Sequence, residues 1–255
     1  MKPAEWFDLT GRTAIVTGGG SGIGRACALA LAEAGASVLV VGRRMEKLEE
    51  TCAAARQAGS VCEAFSVDLT VEENCHAMVE ACQSRFGRVD ILINSAGSRG
   101  ASGDLTEELT AENLCTTFAA DFDSTFFATR YAWPVMAENG GGTIINIASL
   151  AALSARGPVV YAAAKGAVRS FSRSMAKRLG PQGVRVNTIY PGFVITEMTQ
   201  GVLDDPDLKA RFEKESPLGL IGRAEDIAAC ALYLAGDAAR FVTGQEFVVD
   251  GGATC

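Results

Sequence analysis

The chain has 255 residues, of which 48% are apolar, and it contains 28 glycines but only 7 prolines. This length and composition predict a single large α/β domain with a substantial buried core. The net charge of −7 at pH 7 argues against nucleic acid as a partner, because phosphate binding requires clustered Lys and Arg.

Seven apolar runs alternate with helical patterns along the chain. Their continuous apolar character is typical of parallel strands that helices cover on both faces, so we predict an α/β fold over 1–255. The predicted strands are Thr13–Thr17, Ser37–Val41, Cys62–Val67, Val89–Asn94, Thr143–Ala148, Arg185–Ile189 and Glu246–Val249. The alternation breaks over about 193–223, which predicts a long functional loop, here called the lid.

The remaining composition bears on compartment and metal binding. The first residues contain no apolar signal segment, and no stretch reaches the ~18 uninterrupted apolar residues of a membrane span. Eight cysteines without a C-x-x-C pair indicate free thiols in a reducing compartment, and the single His76 does not make a metal site. We therefore expect a cytoplasmic protein without membrane contact or metal.

A glycine-rich turn follows the first predicted strand and precedes a helix rich in Ala and Leu. Glycines let the backbone approach a pyrophosphate, and the helix N-terminus supplies free N–H groups and a positive dipole end. The turn has the spacing G-x-x-x-G-x-G. We predict dinucleotide binding by Gly18, Ser21, Gly22, Ile23 and Gly24.

The residues after the second and third strands bear on the choice of dinucleotide. An acidic residue after the second strand would bind the ribose 2′-hydroxyl of NAD, but this chain has Arg43 and Arg44 there. Two guanidiniums can hold a 2′-phosphate, which favours NADP(H), although NAD(H) and a plainly solvated helical turn remain open. Asp68 and Leu69 follow the third strand, where they can meet the adenine edge or form a turn.

Tyr161 and Lys165 lie four residues apart, and Ser149 lies twelve residues before the tyrosine. Four residues are about one helical turn, so the phenol and the ammonium share a helix face. A neighbouring cation favours a phenolate, which turns tyrosine into a proton-transfer group. A serine hydroxyl nearby can bond a carbonyl oxygen and stabilise charge there, although serine caps helices more often.

The chain resembles the short-chain dehydrogenase/reductase family over nearly its whole length. The resemblance depends on Thr17-Gly18-x-x-x-Gly22-x-Gly24, Asn94-Ser95-Ala96-Gly97, Ser149, Tyr161-x-x-x-Lys165, Asn187 and Pro191-Gly192. It implies one doubly wound, Rossmann-like domain with a seven-stranded sheet, a cofactor half over about 10–150 and a catalytic half over about 150–255. It also implies hydride transfer between a nicotinamide and a carbonyl or alcohol, and a homotetramer.

The same resemblance implies roles for individual residues. Tyr161 would be the acid/base, Ser149 would orient the substrate oxygen, and Lys165 would bind the ribose. Around the cofactor we expect Asn94, Ala96, Gly97, Tyr161, Lys165, Pro191, Gly192, Ile195 and Thr196. Around the substrate we expect Ser98, Arg99, Ser149, Arg156, Tyr161, Phe193 and Met198, with Arg99 or Arg156 either pairing with a substrate anion or simply solvated.

One departure from the family concerns the residue that completes its catalytic tetrad. The family usually has Asn there, whereas this chain has Asp121. An ionised carboxylate only accepts hydrogen bonds, could hold a relaying water near Lys165, and disfavours a nearby phenolate. Our hypothesis is that Asp121 keeps the structural role and shifts the pH optimum.

The function predicted from the sequence is an NADP(H)-dependent carbonyl reductase or alcohol dehydrogenase. Segments outside the core motifs are similar to those of gluconate 5-dehydrogenases and 3-oxoacyl-carrier-protein reductases, which suggests a keto-sugar, a polyol or a 3-oxoacyl thioester as substrate. The alternatives are a hydroxysteroid or bulky-ketone dehydrogenase of the same family and a non-catalytic dinucleotide sensor.

Overall fold

A computed structural model describes residues 3–100, 109–154 and 157–255 of the chain. Seven strands form one parallel sheet with the order β3-β2-β1-β4-β5-β6-β9. Their bounds are β1 Thr13–Thr17, β2 Ser37–Gly42, β3 Cys62–Ser66, β4 Ile91–Asn94, β5 Gly142–Ile147, β6 Val184–Pro191 and β9 Glu246–Val249. All seven predicted strands are present, and the predicted seven-stranded parallel sheet is confirmed.

Burial explains why these runs form strands. Every residue of β1 and of β4, at the centre of the sheet, is buried. Strand β3 lies at the sheet edge, and four of its five residues are only partly buried. The uninterrupted apolar runs therefore mark central strands covered on both faces.

Helices cover both faces of the sheet, as doubly wound folds require. The α-helices are α1 Gly22–Glu33, α2 Met45–Gln57, α3 Glu72–Phe86, α4 Ala111–Phe118, α5 Ser124–Glu138, α6 Val159–Leu179, α7 Gln200–Leu203, α8 Pro206–Glu215 and α9 Ala224–Ala235. Buried residues of α1, α2 and α9 pack in one core cluster, and those of α3, α5 and α6 pack in another. Within the described ranges, no helix combines the length and apolar character needed to cross a membrane.

The direction of the strands places the chemistry at one edge of the sheet. Parallel strands present their carboxyl ends together, and in such sheets ligands bind where the strand order reverses. Here the order reverses between β1 and β4, which end at Thr17 and Asn94. The glycine-rich turn and the Ser95–Gly97 turn follow directly, so both lie at this crevice.

A π-helical turn, Ala119–Asp123, joins α4 to α5. A π turn holds one residue more than an α turn, and such turns recur at functional sites. It contains Asp121, whose side chain is fully buried.

The lid, 193–223, is folded into two short strands and two helices. Strand β7, Val194–Ile195, pairs in parallel with β8, Gly222–Arg223, so the ends of the segment meet. Helices α7 and α8 lie between them, and the rings of Phe193 and Phe212 stack with centroids 3.8 Å apart.

Candidate active site

The glycine-rich turn brings β1 and α1 unusually close together. A Cβ atom on Gly24 would collide with the carbonyl oxygen of Gly18, so only glycine fits at the start of α1. Ser21, the residue before the helix, accepts a hydrogen bond from Arg44 at 3.1 Å. The first three residues of α1 line the crevice, and the first N–H groups of a helix have no partner within it, so a phosphate group would be bound there.

Positive charge surrounds one end of the crevice. A cavity of about 680 Å³ is lined by Arg43, Arg44 and Lys47 on one side and by Asp68 on another. The backbone N–H of Thr70 donates to the Asp68 carboxylate at 3.0 Å, and this hydrogen bond lowers the pKa of Asp68. Asp68 is thus ionised at neutral pH. The described lining of this cavity therefore presents four cations, Arg43, Arg44, Lys47 and Arg99, and one carboxylate.

The opposite end of the crevice holds the residues predicted to do the chemistry. A cavity of about 320 Å³ is lined by Ser149, Tyr161, Lys165, Phe193 and Met198, together with other residues. The crevice brings all five predicted side chains to one place, although they belong to three separate parts of the chain.

Ser149 lies two residues beyond the end of β5. It caps a short 3-10 helix, Leu150–Ala152, and its Oγ accepts a hydrogen bond from the Ala151 N–H at 3.2 Å. The capping function and the proposed chemistry are compatible, because the hydroxyl still has its proton to donate. Tyr161 lies in the first turn of α6, one turn before Lys165.

Lys165 is almost fully buried, and its ammonium is held from three sides. Its Nζ lies 3.2 Å from Oδ1 of Asp121 and 3.4 Å from the carbonyl oxygen of Ile147. The Tyr161 ring centroid is 5.6 Å from the same nitrogen, which places the phenol within the field of the cation.

Asp121 contacts Lys165 directly. Its carboxylate also accepts hydrogen bonds from Ser98, from the backbone N–H at 3.1 Å and from the hydroxyl at 2.7 Å. Gly97 borders this group, and a Cβ there would lie 2.6 Å from Oδ1 of Asp121. The carboxylate is thus fixed by one serine and one lysine.

Sequence reasoning assigned Ser98 to the substrate and missed its link to Asp121. The Ser98 hydroxyl also accepts a hydrogen bond from the Gly100 N–H at 3.0 Å. The sequence contained one signal for this hydrogen bond. A buried carboxylate requires hydrogen-bond donors, and Ser98 directly follows the Ser95–Gly97 turn at the crevice. Glu197 was likewise missed, and its Oε2 lies 3.1 Å from Nη2 of Arg44.

The structure brings most predicted site residues to the two cavities. Those that line one or both are Gly18, Ser21, Gly22, Ile23, Gly24, Arg43, Arg44, Asp68, Leu69, Ala96, Gly97, Ser98, Arg99, Asp121, Ser149, Tyr161, Lys165, Pro191, Gly192, Phe193, Thr196 and Met198. Among the described residues, Asn94 and Ile195 lie outside both linings. The Asn94 amide instead donates to Asn146 at 2.8 Å inside the sheet. Arg156 lies outside the described residues.

These residues fit an elongated dinucleotide. The two cavities share Gly18, Ser21, Ala96, Gly97 and Ser98, so they adjoin along the glycine-rich turn. Cations lie at one end, free helix N–H groups lie in the middle, and a buried ammonium lies beside the serine and the tyrosine. This order suits the phosphate groups and a ribose of a dinucleotide.

Comparisons with known proteins find relatives along nearly the whole chain. The sequence profile of a family described as Enoyl-(Acyl carrier protein) reductase matches residues 18–254. D-threitol dehydrogenase of Mycolicibacterium smegmatis is 38% identical over 249 residues, which are 97% of this chain and 95% of that protein.

Two solved structures share the fold along their lengths. A 7α-hydroxysteroid dehydrogenase in complex with NADH and 7-oxo glycochenodeoxycholic acid superposes with a TM-score of 0.93 at 33% identity, covering 99% of this chain and 98% of that one. A structure assigned as an NAD(P)-dependent gluconate 5-dehydrogenase of Beutenbergia cavernae, with NADP at low occupancy, superposes with a TM-score of 0.91 at 36% identity. The match covers 97% of this chain and 98% of that one. The chain therefore belongs to the short-chain dehydrogenase/reductase family of oxidoreductases.

Proposed function

We propose that this protein is an NADP(H)-dependent oxidoreductase that interconverts a ketone and a secondary alcohol, with Tyr161 as the acid/base. The observation that carries the proposal is the meeting of Ser149, Tyr161 and Lys165 in the lining of one cavity. That cavity adjoins the glycine-rich turn and the arginines, where a dinucleotide fits.

Each of the three residues has a separate role in the reaction. The bound nicotinamide supplies a hydride for reduction and accepts one for oxidation. Tyr161 gives its hydroxyl proton to the carbonyl oxygen during reduction and takes a proton from the alcohol during oxidation. Ser149 donates a hydrogen bond to the same oxygen, where negative charge develops. Lys165 stabilises the phenolate form and holds the ribose hydroxyls.

Preference for NADP(H) is supported by the charges around the larger cavity. Arg43, Arg44 and Lys47 line it next to the end of β2, where a ribose 2′-phosphate would lie. Asp68 is the one carboxylate among the described lining residues of that cavity, and it follows β3 rather than β2. A guanidinium can bind a phosphate through two parallel hydrogen bonds, which a ribose hydroxyl does not require.

The substrate class that we propose is a keto-sugar or polyol, or a 3-oxoacyl thioester. The similarity to D-threitol dehydrogenase and to the gluconate 5-dehydrogenase structure supports a polyol. A second candidate is a bulky ketone such as an oxosteroid. The solved complex with 7-oxo glycochenodeoxycholic acid supports it, as does Met198, which lines the cavity with 48% of its surface exposed.

We further propose a cytoplasmic homotetramer built through the long helices and the last strand. Phe126 on α5 and Val248 on β9 are 36% and 43% exposed in the single chain, and Phe126 belongs to a group of packed aromatic rings with Phe122 and Phe171. Exposed apolar faces of this kind favour association. Sedimentation velocity at several protein concentrations tests the subunit number.

The test of the proposed function is oxidation of NADPH, with NADH in parallel, against four carbonyl classes. The panel contains a ketogluconate, a 3-oxoacyl thioester, an oxosteroid and a small diketone. We expect turnover with NADPH on one class, and a loss of roughly 10²-fold or more in Tyr161→Phe without loss of cofactor binding. If the wild-type protein turns over none of the four carbonyl classes but still binds the cofactor, the result would favour the non-catalytic sensor.

A further inference from the structure

Two buried cysteines on neighbouring elements lie with their sulfur atoms in contact. Cys52 is on α2 and Cys62 is the first residue of β3, and their Sγ atoms are 3.3 Å apart. They are 0% and 2% exposed within the core cluster that α2 forms with the sheet. A core position needs only a small apolar side chain, so packing alone does not require two thiols in contact.

The other buried thiols of the chain provide a comparison for the pKa values of this pair. Burial is the largest cause that raises the pKa of Cys27, Cys75 and Cys82 to about 12. In the Cys52–Cys62 pair, one thiol hydrogen-bonds the other, which lowers the pKa of Cys52 and raises that of Cys62. The Arg56 guanidinium donates to the Cys62 carbonyl at 3.0 Å, which places a cation beside the pair.

A surface hollow lies next to one member of this pair, Cys62. A surface hollow of about 450 Å³ is lined by Arg56, Ser60, Cys62 and Glu63, among others, at the edge of the sheet. A small polar oxidant such as a hydroperoxide can enter a hollow of this size. The pair is therefore buried but lies at the surface edge of the core.

We propose that Cys52 and Cys62 form a reversible dithiol/disulfide site whose oxidant is a small hydroperoxide. One thiol of the pair attacks one peroxide oxygen as its thiolate, so that an S–O bond forms, the O–O bond breaks, and the leaving hydroxide or alkoxide takes up a proton as water or an alcohol. The other thiol then attacks the same sulfur, so that the S–S bond forms, the S–O bond breaks, and the released hydroxide leaves as water with the thiol proton. The two sulfurs lose two electrons in total, and a dithiol reductant restores both thiols.

The same site is connected to the cofactor crevice, and this part of the inference rests on the proposed function. Thr51 precedes Cys52, and its hydroxyl donates to the Gly19 carbonyl in the glycine-rich turn at 3.0 Å. Closing the sulfurs from 3.3 Å to a bond of ~2.05 Å needs about 1.2 Å of movement. Movement of that size at Cys52 stretches the Thr51 hydrogen bond and weakens cofactor binding by about threefold or more.

Peptide mapping tests the disulfide without any need for activity. Cleavage after Glu50, Arg56 and Glu63 gives the peptides Thr51–Arg56 and Gln57–Glu63, each with one cysteine. After treatment of the folded protein with hydrogen peroxide, we expect the two peptides to remain joined, lighter by two hydrogen atoms, until dithiothreitol separates them. Separate peptides after oxidation, with the thiols intact or oxidised singly, would overturn the proposal.

Two variants control the mapping and the coupling. Cys62→Ser should lose the joined peptides, and Cys230→Ala, which removes a half-buried thiol near Cys27, should keep them. NADPH and NADH titrations of oxidised and reduced protein then measure the coupling. We expect weaker binding after oxidation in the wild type and in Cys230→Ala, but not in Cys62→Ser. Equal affinities in bridged and reduced wild type would overturn the link to the cofactor crevice, whereas absence of binding in both states would contradict the proposed function instead.

Discussion

The Nζ atom of Lys165 lies 3.2 Å from Oδ1 of Asp121, and their side chains are 6% and 0% exposed. A buried ion pair is maintained only where further hydrogen bonds satisfy both partners. Here Ser98 supplies two donors to the carboxylate, and the Ile147 carbonyl accepts from the ammonium. The ammonium that faces Tyr161 is therefore partly neutralised by a carboxylate, where the family usually has a neutral amide.

The first prediction concerns Asp121→Asn. The amide oxygen can still accept from Lys165, so we expect activity to stay within about tenfold of the wild type. Loss of the negative charge leaves a net cation near Tyr161, which favours the phenolate. The rate of alcohol oxidation rises with pH as the phenolate forms, so kcat/KM should reach half its maximum at a pH lower by roughly one unit.

Asp123→Asn is the matched control for this experiment. Asp123 lies in the same π-helical turn, but it is only partly buried and does not line the catalytic cavity. Its substitution should leave the pH–rate profile in place. If Asp121→Asn shows the wild-type profile as well, the carboxylate has no influence on proton transfer.

The second prediction concerns Ser98→Ala. The Ser98 hydroxyl neutralises part of the Asp121 charge through a hydrogen bond of 2.7 Å. Its removal leaves the carboxylate to act more fully on Lys165, so the phenolate is disfavoured and the pH–rate profile moves to higher pH. Such a hydrogen bond contributes about 1.5–3 kcal/mol, and we expect kcat to fall by about tenfold.

A double-mutant cycle separates this effect from simple loss of packing. In the Asp121→Asn background the charge that Ser98 neutralises is gone, so adding Ser98→Ala should no longer move the pH–rate profile. A profile that moves equally in both backgrounds would show that Ser98 acts independently of Asp121.

The sheet could be predicted from the sequence, but the contacts among Ser98, Asp121 and Lys165 could not. All seven strands were predicted, and the central ones follow from apolar runs, because burial on both faces leaves one pattern for a central strand. The contact between Ser98 and Asp121 joins residues 23 positions apart, and it depends on a π-helical turn that the sequence does not mark. The pairing of Arg44 with Glu197 joins residues 153 positions apart. Such contacts depend on where separate loops meet above the sheet, which local patterns do not record.

The third prediction concerns Arg44 and its partner Glu197. If Arg44 holds the 2′-phosphate, Arg44→Ala should raise KM for NADPH by about tenfold and change KM for NADH by less than about twofold. Glu197 competes for the same guanidinium at 3.1 Å, and both side chains are more than half exposed. An exposed ion pair contributes about 0–1 kcal/mol. Because its loss frees Arg44 for the phosphate, Glu197→Gln should lower KM for NADPH by up to about fivefold.

Arg130→Ala controls for loss of a surface arginine, because Arg130 pairs with Glu72, and neither residue lines the two cavities. It should leave both KM values unchanged. Equal effects of Arg44→Ala on NADPH and NADH would show that Arg44 does not distinguish the two cofactors.

The last prediction concerns Gly97→Ala. The added Cβ would lie 2.6 Å from Oδ1 of Asp121 and 3.3 Å from Nζ of Lys165, and both groups are fixed by their hydrogen bonds. Relief of this overlap has to move the carboxylate away from Lys165 or from Ser98, so we expect about 1–3 kcal/mol less stability together with a displaced pH–rate profile. Urea unfolding at a fixed protomer concentration measures the loss of stability.

Gly201→Ala, which places its Cβ in open space on exposed α7, is the control and should change stability by less than about 1 kcal/mol. Wild-type stability in Gly97→Ala would mean that the carboxylate can shift freely, and the fixed position inferred for Asp121 would then be wrong.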